Sequence, residues 1–306
     1  MPGRSRRLRS PGARRPALFW AAILLALAVG IALGGGVLSR FTADGDVRDL
    51  RTQVQDLERR NEALDARTRA GDAFADAAAP GTLGRSLTGF PVLLVVAPGA
   101  DGGDISQISR RVTQGGGTVA GTVRLTEALY ADDQSERLRG TVDNAAPVGV
   151  TLDAGQVDPR ARAGDLIGSI LLGKGSAPAV SQGGTDALVT LRQAGYLAFD
   201  GPTVPSARAA IVVTGGAVPG EHAGQGQGIG RLAAGLSRHG DGSVLVGRTG
   251  SATGSGPIVV VRQDQDLSAR LATVDDADTT VGQVSTALAL IQATRGEVRA
   301  YGTGVR

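Results

Sequence analysis

The chain contains no cysteine. Disulfides, thiolate chemistry, Cys-ligated zinc and iron–sulfur centres are therefore excluded. An exported chain of this kind must rely on its core alone. Only Met1 offers a thioether, and His222 and His239 are the two imidazoles. Lys174 is the single lysine. Aromatic residues make up 3% of the chain, too few rings for a base-stacking surface, so no nucleic-acid partner is expected. No acidic residue precedes Asp44.

Arginine fills that acid-free stretch. Arg4, Arg6, Arg7, Arg9, Arg14 and Arg15 come first, and Ala17–Leu38 follows without a charged residue. About 20 apolar residues span a bilayer core. Basic flanks stay on the cytoplasmic side. The expected topology is a cytoplasmic tail over 1–16, a transmembrane anchor over 17–39 and everything later outside the cell membrane. A cleaved signal peptide is the rival reading; its apolar region usually runs to about 7–15 residues. Small residues at Ala32, Gly34, Gly35 and Gly36 keep cleavage open. Gly30 and Gly34 form one GxxxG, either a helix-pairing face or two tolerated glycines. Seven of the 32 basic residues lie in 1–40, leaving 25 against 29 acidic ones, so the rest of the chain is mildly acidic.

Val47, Leu50, Val54, Leu57, Asn61 and Leu64 recur at alternating spacings of three and four. This is a heptad with apolar a and d positions, and Asn61 takes an a position that fixes register. A short parallel coiled coil over 44–70 follows, joining two copies of the chain; an amphipathic helix packed on the domain is the alternative. The pattern stops at Gly71, and the Ala-, Pro- and Gly-rich stretch 71–84 reads as a linker.

The folded part is expected over 85–306. Phe90–Val96 is a continuous apolar run ended by Ala97-Pro98-Gly99, the mark of a buried parallel strand. A helix from about Asp104 to Gln114 and a strand at Thr118–Val123 complete a β-α-β unit. Helices are expected at 126–142, with a break near Ala131, at 161–172 and at 185–194, then a short strand at Tyr196–Phe199. Ala209–Val213, ended by Thr214-Gly215-Gly216, opens a second unit with a helix at Gly228–Leu236 and a strand at Ser243–Val246. Pro257–Val261 reads as another strand, Thr279–Thr294 as a helix and Glu297–Tyr301 as a last strand. The fold class is α/β with a mostly parallel, helix-covered sheet, in two similar halves of about 85–205 and 206–306.

Candidate chemistry is sparse. Gly168–Ser176 nearly spells a P-loop, but Ile170, Leu171 and Leu172 sit where the loop should be and Gly175 follows Lys174. Gly173 reads as a helix C-cap instead. Gly224–Gly230 fits no dinucleotide register and reads as a flexible loop, or as amides at a helix start. Ser237, His239 and Asp241 lie too close in sequence to define a triad, and His239 reads as a helix cap. Asp275, Asp276 and Asp278 precede the Thr279 helix, where they ligate a hard cation or cap the helix. The candidate metal ligands are thus His222, His239, Asp275, Asp276 and Asp278. No catalytic constellation is present, and no enzyme is expected.

Several blocks, taken in order, resemble one actinobacterial family, the mycobacterial copper transport protein B family. They are the N-terminal apolar helix with its heptad, Ala163–Gly168 with Leu171-Leu172, Val212–Ala217, Gly247–Ala252, Thr273–Asp278 and Tyr301–Gly304. The resemblance covers nearly the whole chain. It implies copper efflux and copper homeostasis in a mycolate-type cell envelope, and a pore-forming envelope protein, with no catalytic activity and no resident cofactor; copper would be cargo. An outer envelope layer is the alternative location. The residues add their own terms. Cu(I) prefers sulfur and Cu(II) prefers imidazole, both scarce here. A transmembrane barrel needs alternating strands of about ten residues, whereas these are short continuous runs between helices. The competing function is a membrane-anchored envelope scaffold that binds an envelope protein partner and affects copper only indirectly.

Overall fold

A computed structural model describes residues 38–304. The basic tail at 1–16 and nearly all of the expected anchor at 17–39 lie outside the described residues. Among the described residues no helix is long and apolar enough to cross a membrane. The chain divides into two units, one ending at Thr68 and one starting at Arg69.

In the first unit, helix α1 (Leu38–Leu83) begins. From Asp49 to Thr68 every side chain on it is exposed, the heptad residues included. The helix continues through Gly71, which corrects the expected linker at 71–84. Ala73, Ala75, Ala77, Ala78 and Ala79 favour the helix most strongly of all residues, and in the second unit Ala79 and Leu83 gain full burial. Packing thus keeps Pro80 inside a helix despite its missing amide. Asp72 Oδ1 accepts from the amides of Thr280 and Val281, and Asp76 pairs with Arg111 at 2.7 Å, so the end of α1 is bolted to the domain.

The second unit is one seven-stranded sheet in the order β3-β2-β1-β4-β5-β6-β7. The strands are β1 (Pro91–Val96), β2 (Thr118–Leu125), β3 (Leu197–Ala198), β4 (Ala209–Val213), β5 (Gly242–Val246), β6 (Ala272–Val274) and β7 (Ala300–Tyr301). All neighbours are parallel except β2 and β3. The two β-α-β runs meet where β1 pairs with β4, so both expected halves share one sheet.

Alternation along the strands divides the core in two. Leu93, Val95, Ala210 and Val212 face a layer made by α3 (Ser135–Ala145), α4 (Pro159–Leu171), α5 (Gln182–Gln193), α6 (Ala223–Leu236) and α7 (Pro257–Gln263). Val92, Leu94, Ile211 and Val213 face the end of α1, α2 (Gly102–Gln114) and α9 (Thr280–Ala293). A short α8 (Gln265–Ser268) lies between α7 and β6. Burial of each such aliphatic side chain is worth about 1.5–3 kcal/mol.

Three local expectations change. The run Pro257–Val261 is helical, not a strand: Pro257 stands at the helix start, and Ile258 and Val261 bury one face at a spacing of three. The segment 126–142 breaks at Ala131 into two short 3-10 turns and then α3. The Gly224–Gly230 segment is not a loop; it forms the first half of α6. Its glycines are there for contact. A Cβ on Gly226 would lie 2.0 Å from the Ser255 carbonyl oxygen. Further along α6, a Cβ on Gly235 would lie 2.1 Å from the Ala161 oxygen, and one on Gly164 of α4 would lie 2.1 Å from the Leu232 oxygen. Backbone touches backbone where α4 crosses α6.

Candidate functional site

β1 continues into α2 on one face of the sheet, and β4 continues into α6 on the other. The two connections leave adjacent strands in opposite directions. Their carboxyl ends therefore part and open a crevice, the place where open α/β sheets hold ligands. The crevice encloses about 540 Å³. Pro98 and Gly99 line it from the β1 end, Thr214–Pro219 from the β4 end, Glu127 and Tyr130–Asp132 from the turn after β2, and His222, Gly224 and Gln225 from the start of α6. Tyr130 is buried, and its hydroxyl has no hydrogen-bond partner among the described residues. Burial pushes that phenol far above its ordinary value, against the pull of Arg160, so it stays a neutral donor. Arg160, itself buried, donates to the Tyr130 carbonyl and to Asp132 Oδ1 at 3.0 and 2.9 Å, fixing the β2 wall.

The same edge continues over β5 and β6. Asp278 Oδ1 accepts from the amide and hydroxyl of Thr249, at 2.8 and 3.1 Å. The Arg248 amide donates to the Gly215 carbonyl. Arg248 Nε lies 3.0 Å from Asp104 Oδ2, in the first turn of α2. Burial raises the Asp104 carboxyl; Arg248 opposes this, and Asp101 and Asp278 add to it. Asp275 is wholly buried. It pairs with Arg262 at 3.1 Å and accepts the amides of Thr303 and Gly304 at 2.8 and 2.6 Å. Arg262 in turn donates to Thr273 and to the Tyr301 carbonyl. This carboxylate therefore clamps the C-terminal segment.

Asp276 differs. Its Oδ1 is buried with no hydrogen-bond partner among the described residues. Burial first, then the neighbouring Asp275 and Asp278 charges, push its carboxyl up to about 6. The helix cap expected from these acids is made instead by Thr279, whose hydroxyl accepts the Gly282 amide. The blocks Val212–Ala217, Gly247–Ala252, Thr273–Asp278 and Tyr301–Gly304 are far apart in sequence, and all four meet on this edge.

His239 lies at the opposite edge. It follows α6, but its ring does not cap that helix: Nε2 is 2.7 Å from Asp165 Oδ1 on α4. Burial raises the Asp165 carboxyl, but hydrogen bonds from His239 and the Asp153 amide, with the charges of His239 and Arg238, outweigh it and hold it below the ordinary range. Asp241 is engaged elsewhere, by Arg208 and by the Gly175 amide, and the Ser237 hydroxyl donates to Ala234. Ser237, His239 and Asp241 are thus no triad. They line a shallow basin of about 880 Å³ with Lys174 and Arg270. Leu172 closes α4 as its cap, with Gly173 just beyond.

His222 and His239 stand at the two ends of α6, a 14-residue helix about 21 Å long. One ion cannot touch both. Among the described residues no three of the His, Asp and Glu side chains come together to hold a metal ion. The sequence pointed to the acids at 275–278 and to both histidines. It missed Tyr130, Arg160 and the Asp104–Arg248 pair; the Pro-Gly and Gly-Gly endings of β1 and β4 were the signal that marked the crevice.

Fold and edge together define a doubly wound α/β domain that starts on the end of a long N-terminal helix, with a crevice at the topological switch point. The chain belongs to the MctB family, described as copper transport outer membrane protein, whose model matches residues 12–306. It is 36% identical over 300 residues to copper transporters MctB of Mycobacterium tuberculosis and Mycobacterium bovis, covering 95% of this chain and 96% of each relative. It is 35% identical over 304 residues to the copper transporter MctB of Mycobacterium leprae, with the same coverage. The relatives' names describe transport and no enzyme activity.

Proposed function

We propose that this chain serves copper transport and homeostasis in the cell envelope. The observation that carries this is family membership along almost the entire chain, with four of its recognisable blocks assembled on one edge of the sheet. The anchor at 17–39 holds the protein in the cell membrane with its tail inside and the α/β domain outside, and the transport is outward. The carboxyl edge, with its crevice, is the working surface.

The donors on this surface are oxygen and one imidazole. They suit weak, exchangeable contact with copper and not a tight Cu(I) relay. A second reading follows from the same donors: the domain is an envelope scaffold that docks an envelope protein, and copper responds indirectly. The separation of His222 from His239 favours it. Copper content and copper tolerance of the host, with and without the chain, test the first reading; loss is expected to raise cell copper. Unchanged copper on loss would refute any copper role. The double variant His222→Ala/His239→Ala, at normal protein level, tests whether the histidines are direct copper ligands. Retained tolerance fits weak oxygen contact or the scaffold. Lost tolerance restores the histidines as direct ligands.

A further inference from the structure

The first unit presents an apolar stripe on which none of the described residues packs. Leu50, Val54, Leu57 and Leu64 are 59, 51, 57 and 55% exposed on a continuous helix. Leu50 and Val54, with Arg51, Gln55 and Glu58, line a shallow groove of about 400 Å³ whose surface is chiefly apolar. A stripe of this width, at heptad spacing, matches the seam of a two-stranded coiled coil.

The flanking charges say which strand fits. With Val47, Val54 and Asn61 at a, the g positions are Asp46, Gln53 and Arg60, and the e positions are Arg51, Glu58 and Asp65. In a parallel, in-register pair each g residue meets the e residue five positions later on the other strand. Asp46 then faces Arg51, and Arg60 faces Asp65, each twice by symmetry. Gln53 meets Glu58 without repulsion. No like charges meet. The same register sets Asn61 against its own copy, where the two amides bond each other. An antiparallel alignment centred elsewhere would set Asn61 against an aliphatic residue and leave a buried amide unpaired.

We propose that residues 47–65 are a self-recognition surface: the occupant of the stripe is a second copy of this chain, parallel and in register, in a two-stranded coil. The charges at e and g make the pairing homotypic, and Asn61 fixes both alignment and strand number.

The absence of cysteine makes the test direct. In the full chain in detergent, Leu50→Cys and Leu64→Cys are made singly and oxidised. A parallel, in-register pair cross-links each variant to itself. Cross-linking only when the two variants are mixed shows an antiparallel pair and overturns the proposal. So does the absence of any cross-link, or a sedimentation mass other than two chains. Charge reversal then tests recognition. Arg60→Asp and Asp65→Arg should each weaken association about tenfold, since two exposed pairs turn from attraction to repulsion. The double variant should restore it. Failure of that rescue, with the helix intact by circular dichroism, would remove the charge pairing.

Discussion

The crossing of α4 over α6 is where a one-carbon change should matter most. Gly235 sits inside α6, and a Cβ there would lie 2.1 Å from the Ala161 carbonyl oxygen. Two effects oppose each other in Gly235→Ala. Helix propensity favours alanine by about 1 kcal/mol. Against it stands a contact far inside van der Waals distance, made with backbone and not with the end of a flexible side chain. Overpacking typically costs 1–3 kcal/mol and more where nothing yields. Here the whole crossing must open, parting the buried Ala163, Leu232 and Leu236. The net expectation is a loss of about 2 kcal/mol or more, or roughly 4–8 °C in melting temperature for a unit of this size. Gly140→Ala supplies the control. Gly140 is helical within α3, and its Cβ would meet nothing within 4 Å. Propensity acts alone there, so a gain of up to about 1 kcal/mol is expected. Thermal unfolding of the full-length variants by circular dichroism measures both. A Gly235→Ala protein as stable as the parent would show that the glycine is incidental.

Other expectations follow from the carboxyl edge and its buried charges. Asp276 holds its proton more tightly in the fold than in the unfolded chain, so its contribution is complete below about pH 4 and lost as pH rises through about 6. Asp276→Asn should therefore stabilise the domain by on the order of 2 kcal/mol at pH 7–8 and make little difference near pH 4, as read from melting curves against pH. Asp165 runs the other way. Its carboxyl is held low, so its contribution is present above the ordinary aspartate range and fades as pH falls below it; His239→Leu removes a hydrogen bond that holds it low, so it should lower stability near neutral pH and flatten the loss of stability in acid. Asp275→Ala leaves Arg262 charged in a buried place and frees the C-terminal segment. It should cost about 3–5 kcal/mol and speed amide exchange at Thr303 and Gly304.

Local sequence determined a good deal. The apolar runs at Pro91–Val96 and Ala209–Val213 could only be buried on both faces, so a parallel, helix-covered sheet followed from them. The heptad at 47–64 required a helix, because its spacing fits no strand. The donor inventory set the limits on metal chemistry, since no fold supplies sulfur that the chain lacks. Tertiary structure decided the rest. Pro257–Val261 has the composition of a strand, but packing against α6 made it a helix, which periodicity over five residues cannot distinguish. Gly224–Gly230 reads as a loop on propensity; close backbone contacts across α6 overrode that. The linker at 71–84 became helix because Ala79 and Leu83 found a core to enter. The site itself was the least legible part. Asp104 meets Arg248 and Asp275 meets the last residues of the described chain only because strand order brings distant segments to one edge, and Asp165 meets His239 at the opposite edge only because α4 crosses α6. Strand order is set by long-range pairing, and a linear pattern carries no record of it.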